Sequence, residues 1–258
     1  MDIIADGKVY VGVHEHSAET PLEVGNNMKV VNATTGQLIS EWPAWPYPLS
    51  VAVADGVLIY WNDYNGQVYA VGQGPTQMTI TAPSTASPVG TPVIIRGTVT
   101  DVSPGTQQSI VKADFPNGVP AVSDASMSSW MTSVYMQKLP SNITGVPVTI
   151  DVVDSNGNYR NIGTTTSDSS GLFTFNWKPD IEGSYIVVAT FRGSQSYFGT
   201  YAETSFVASA AATTAPTSTT TAAGNETTNM YVLGIGVAII VVVSIVGAVI
   251  LMALRKRA

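Results

Sequence analysis

The sequence predicts a mainly β protein that closes with a single transmembrane α-helix, and three observations carry that expectation. Only 11% of the residues are charged, with Gly 23 and Pro 15, a balance that suits strands and tight turns better than helices. Asp-Gly occurs at Asp6-Gly7 and again at Asp55-Gly56, each time between an apolar run and an alternating one. Asp-Gly supplies the positive φ of a tight hairpin. Lastly, no charge appears from Tyr231 to Leu254.

The bulk numbers exclude several functions. A chain of 258 residues holds one or two globular domains and can bury a core. It has no cysteine, so disulfides, thiolate–zinc sites, iron–sulfur clusters and thiol catalysis are ruled out. Formal net charge is −7, and without Arg255, Lys256 and Arg257 the rest holds 8 basic against 18 acidic residues. Phosphate binding needs a basic face, so nucleic acid is not expected as a partner.

Residues 1–75 read as strands and turns. "IIADGKVYVGV" and "VAVADGVLIYW" are self-similar, and each is followed by a second strand pair, "MKVVNATTGQLISEW" and "GQVYAVGQG". The two turns lie about 49 residues apart, and a four-stranded unit of 40–50 residues is the period of a propeller blade. These segments resemble the repeat of the pyrroloquinoline quinone-like β-propellers. Ala33-Thr34-Thr35-Gly36 matches that family's Ala-x-x-Gly turn, although Trp42 follows the glycine after five residues where the family has three. The resemblance covers one to two blades and transfers no catalytic residue and no cofactor. Trp42, Trp45, Tyr47, Tyr60 and Trp61 are expected to pack the blades.

Residues 76–208 follow a Pro/Ser/Thr linker and carry strands at "GVPVTIDVVD", "GLFTFNWKP", "GSYIVVATFRG" and "TYAETSFVAS". Turn signals every 8–12 residues suggest a β-sandwich. "SDSSGLFTFNW" and "PDIEGSYIVVATFRGSQSY" resemble bacterial-type immunoglobulin-like domains, which serve as spacers and adhesive modules on prokaryotic surfaces. An insertion at about 103–145 interrupts the pattern. Within it Ser123 or Asp124 caps a helix whose Met127, Trp130, Met131 and Val134 share one face. That face packs on the sandwich or docks a partner. "DSNGN" (154–158) lacks the Gly and Glu positions of an EF-hand and reads as a hairpin turn; Asp168, Asp180 and Glu182 also sit in turns.

Residues 209–230 are nearly all Ala, Thr and Ser, a composition of extended stalks that are often O-glycosylated. The apolar run 231–254 is roughly 36 Å long as a helix, enough for a ~30 Å hydrocarbon core. Gly234/Ala238 and Ser244/Ala248 have helix-packing spacing. The positive-inside rule places Arg255, Lys256 and Arg257, in tail 255–258, in the cytoplasm and everything before the helix outside. Outside placement makes Asn32, Asn142 and Asn225 glycosylation candidates. Residues 1–20 contain no signal peptide, so a longer chain or a split gene is expected.

The only two histidines, His14 and His16, flank Glu15. His-x-His on a strand puts both imidazoles on one face, but zinc or copper needs at least three protein ligands. Glu19 and Glu23 are in reach only if the loop folds back. The pair is a weak metal candidate, and no metal or cofactor is expected. The composite expectation is a non-enzymatic, membrane-anchored envelope protein of archaeal or bacterial type, with a binding, adhesion or display role. Its expected partners are the membrane, further propeller blades, and a glycan or envelope protein. The alternative is the anchoring end of an exported quinoprotein-like oxidoreductase whose active site lies in other blades.

Overall fold

The computed structural model describes residues 2–13, 26–47, 49–133, 138–211 and 226–255. In the last segment side chains are described at 233–235, 237–247, 252 and 255. The chain divides into two compact units, Met1–Ala212 and Thr213–Ala258, each taken here by itself.

The first unit is mainly β. Strands β1 (Asp2–Ala5), β2 (Lys8–Val13), β3 (Asn27–Asn32) and β4 (Leu38–Pro43) form an antiparallel meander in the order β1-β2-β3-β4. Strands β5 (Ala52–Ala54), β6 (Val57–Asn62) and β7 (Gln67–Val71) form a second meander. The β1–β2 and β5–β6 hairpins turn through Asp6-Gly7 (φ 51° and 69°) and Asp55-Gly56 (φ 50° and 75°). Two successive positive φ values give the turn twist that a two-residue hairpin needs, which is why the dipeptide recurs. The two meanders pack face to face around Tyr10, Met28, Trp42, Leu58 and Tyr60.

From β8 (Thr76–Thr81) the chain builds two larger sheets. β9 (Ser87–Pro88) is short, and the central strand β10 (Val93–Asp101) pairs with β8, with β11 (Val119–Pro120) and with β14 (Leu172–Trp177). The facing sheet has the order β13-β12-β15-β16-β9, with β12 Pro147–Val153, β13 Tyr159–Thr166, β15 Gly183–Gly193 and β16 Phe198–Ser209. Alternation is strict in β10, where Val93, Ile95, Gly97 and Val99 are buried and Ile94 and Arg96 are exposed. The period-two pattern places one apolar row from each sheet in a shared core. At Gly97 a Cβ would lie 2.1 Å from the Thr79 carbonyl oxygen and 2.4 Å from Phe173 Cζ, so this crossing admits only glycine.

Between β10 and β12 run a 3₁₀ turn (Pro104–Gln107) and helices α1 (Ser109–Asp114) and α2 (Asp124–Ser133). Trp130 is buried against Val119, Val122 and Phe115. Met127 packs on the sandwich core, whereas Met131 packs against the core of the first two meanders. The helix face expected to serve one neighbour serves two. Val134 lies outside the described residues.

The second unit contains α3 (Glu226–Arg255). Among the described residues no helix is long and apolar enough to cross a membrane, which corrects the single transmembrane helix expected at 231–254. The single-pass topology, the outside placement and the cytoplasmic tail marked by Arg255, Lys256 and Arg257 are corrected with it. Arg255 is the last described helical residue; Lys256 and Arg257 lie outside the described set.

Candidate functional site

The sites expected from the sequence scatter rather than converge. His14 and His16 lie outside the described residues, as do Glu15, Glu19, Glu23 and Asn225. Among the described residues no three His, Cys, Asp or Glu side chains are grouped closely enough to hold a metal ion. Asn142 is exposed in a turn. Asn32 ends β3, and its Oδ1 accepts the N–H groups of Thr34 and Thr35, each at 2.9 Å.

The turn carboxylates Asp154 and Asp168 are occupied by their own loops, and Asp180 by an arginine of β13. Asp154 Oδ1 accepts the N–H of Asn156 at 2.9 Å and of Asn158 at 3.0 Å, the local pattern of an Asx turn. Asp168 Oδ1 accepts from Ser170 and Leu172 in the same way. Asp180 takes both terminal nitrogens of Arg160 and the Tyr185 hydroxyl. The Arg160 guanidinium holds the Asp180 carboxyl down at about 2. Burial pushes the Tyr197 phenol well above its ordinary value.

The aromatics of the first 75 residues divide by depth. Trp42 is buried, and its Nε1 donates to the Tyr60 hydroxyl at 3.0 Å, while Tyr60 stacks on Tyr69 with centroids 5.5 Å apart. Trp45 meets Tyr64 edge-on at 5.6 Å. Trp61 and Tyr47 are exposed, and Trp61 Nε1 donates to Asp63.

Two features stand out as functional geometry. A groove of about 350 Å³ runs between the outer face of β8–β10 and the segment around α1, lined by Thr79, Thr98, Thr100, Asp101, Lys112 and Asn117. Its hydroxyls are engaged with one another, Thr79 Oγ1 lying 2.7 Å from Thr98 Oγ1. The second feature is α2 as a tie bar. At its first residue, Asp124 accepts from the Ser194 hydroxyl (2.9 Å), the Gln195 and Ser196 N–H groups (3.0 Å each) and the Ser196 hydroxyl (2.6 Å). This grips the β15–β16 hairpin. One turn on, Ser128 Oγ accepts the Glu41 N–H at 3.2 Å and lies 3.2 Å from Ser40 Oγ. Glu41 and Ser40 belong to the edge strand β4, so the helix covers an edge open to pairing. Partial burial raises the Asp124 pKa, but the hydrogen bonds from Ser196, Gln195 and Ser194 outweigh it and hold the carboxyl below its usual value.

The sequence offered Ser123 or Asp124 as a helix cap and gave no sign of the grip of Asp124 on a loop 70 residues away. No local pattern carries that signal. No family model matches the sequence, and no curated protein is similar enough to match it.

Proposed function

We propose that the chain is a non-catalytic structural and binding module, in which propeller-like sheets and an immunoglobulin-like sandwich are joined to present surfaces to a protein or glycan. The observation that carries this reading is the α2 tie bar. Asp124 and Ser128 spend one short helix on fastening the sandwich hairpin to the edge of the first meander. A fixed relation between two β bodies suits a scaffold or display part. The turn carboxylates support the same reading, because Asp154 and Asp168 are committed to hydrogen bonds within their own turns and Asp180 to the Arg160 guanidinium 20 residues away. The resemblance in the first 75 residues to quinone-type propeller repeats is kept as a resemblance of architecture only.

A dye-linked oxidation assay with added pyrroloquinoline quinone and calcium tests the proposal. The expected outcome is no quinone-dependent dye reduction and no saturable quenching of tryptophan fluorescence by the quinone. Turnover that depends on bound quinone would overturn it.

A further inference from the structure

The two N-terminal meanders are structural repeats. The matching Asp-Gly turns align Ala5 with Ala54, Ile4 with Val53, Val9 with Leu58 and Tyr10 with Ile59. Strand pairing then aligns Val30 with Ala70 and Met28 with Val68. Each meander therefore has a front, carrying Tyr10 or Ile59, and a back, carrying Val9 or Leu58.

The repeats use opposite faces where they meet. The first meander buries its front, with Tyr10 7%, Met28 0% and Val30 6% exposed. The second buries its back, with Leu58 1% and Tyr60 0% exposed. A front-on-back contact is heterologous, and it leaves one face unused at each end of the pair. The unused front is that of the second meander, where Ile59 is 42%, Trp61 40% and Val68 64% exposed, with Ala52, Ala54 and Ala70 beside them. The unused back is that of the first meander, where Ile4 is 73% exposed and Val9, Val11 and Val31 are half-buried. Met28 at 0% and its equivalent Val68 at 64% measure the difference between a used and an unused front. The Lys29–Glu41 ion pair (3.5 Å) lies on the same back, Lys29 on the inner strand β3 opposite Val11 and Glu41 on the edge strand β4.

We infer that this chain assembles head to tail with a second copy of itself, the front of the second meander docking on the back of the first meander of its neighbour. The existing contact is the template for the missing one. The unused front is the counterpart of a face already buried in this fold, and the face that buries it has its own counterpart on the same chain. A second copy thus supplies both halves. Such a contact propagates, closing into a ring if the rotation per copy permits and otherwise growing as a filament. This inference rests on the reading of the chain as a structural module, but its test does not involve quinone, so the two fail separately.

The native chain has no cysteine, so introduced thiols report unambiguously. Full-length Ile4→Cys and Ala54→Cys variants are prepared separately and treated with a short bismaleimide. The geometry requires a cross-linked dimer from the mixture and none from either variant alone. The Ile4→Cys/Ala54→Cys double variant should give a ladder of trimers and larger species. Adding Ile59→Lys to the Ala54→Cys variant should lower the dimer yield about tenfold or more, because a charge enters a desolvated contact. Circular dichroism should show unchanged folding, Ile59 being exposed in the single chain. A dimer from one variant alone means face-to-face pairing and overturns the inference. Association by sedimentation without the mixed cross-link, or a monomer at all concentrations, overturns it too.

Discussion

The sandwich and the pair of N-terminal meanders are both built from antiparallel strands with period-two alternation, yet they finish their cores differently. In the sandwich each sheet has one apolar face, and the two meet: Ile95 and Phe173 from one side face Val187 and Phe206 from the other. The outer face is mixed, with Arg96, Thr98 and Thr174 interrupting the exposed Ile94 and Leu172. In the meanders one face of each sheet is used; the other is apolar in the second meander, with Ile59, Trp61 and Val68, and mixed in the first, where Ile4, Val9, Val11 and Val31 share it with Asp2, Lys29 and Glu41. Val9 and Tyr10 point to opposite sides of β2, and so do Leu58 and Ile59 in β6. A sheet whose outer face is broken up by charged and hydroxyl side chains is complete when its inner face is covered, whereas the unbroken apolar front of the second meander calls for a neighbour.

The largest expected effect of a single change therefore lies in the sandwich. Phe173→Ala removes a ring 2% exposed that fills the space against Gly97. It should cost about 3–5 kcal/mol in chemical denaturation. The equivalent truncation on the unused face, Val68→Ala, should cost about 0.5 kcal/mol or less in the single chain, since Val68 is 64% exposed. Similar losses at both positions would erase the distinction between closed and open cores.

Asp124→Ala comes next, because it tests the link between the two regions rather than either core. It leaves the Gln195 and Ser196 N–H groups and the Ser194 and Ser196 hydroxyls without their shared acceptor. The expected loss is about 1–3 kcal/mol. Hydrogen exchange should speed up in the β15–β16 hairpin and, through the loosened α2, at Glu41 of β4. Faster exchange in the hairpin alone would mean that the sandwich and the meanders are fastened by something other than this helix.

How much of this was legible follows the range of each interaction. The Asp-Gly turns and the alternation of β14 and β15 are local, and they pointed to the hairpins and the buried rows. Trp42 shows where local reading stops. Five residues separate it from Gly36, and regular alternation from Leu38, which shares the back with Val31, would put it on the back as well. The register shift between Val30 and Val31 inserts Ile39 as an extra residue in β4, and this bulge brings Trp42 to the front, opposite Met28. The tie bar was not legible, because Asp124 and Ser128 act on residues some 70 to 90 positions away. At the C-terminus the apolar run suggested a spanning helix, while among the described residues none is long and apolar enough for one.

The smallest expected effect is the response to acid, which also separates the two regions. Asp180 has its pKa lowered to about 2 by the Arg160 guanidinium, against an ordinary 3.8. A depressed carboxyl pKa means that the unfolded chain takes up the proton first. Its stabilisation is therefore complete above pH 3.8 and is lost as pH falls toward 2. Asp124 and Asp154 shift in the same direction, so all three of these acid-sensitive carboxylates serve the sandwich and its hairpins. The Arg160–Asp180 pair is 35% and 55% exposed, and solvent screening limits its share to about 0.5 kcal/mol. Unfolding followed at pH 5 and pH 2.5 should show the sandwich losing stability, and Asp180→Asn should remove a small, measurable part of that loss. If Asp180→Asn leaves the acid response unchanged while Asp124→Asn abolishes it, the pH sensitivity resides in the tie bar, and acid should then separate the meanders from the sandwich before either core melts.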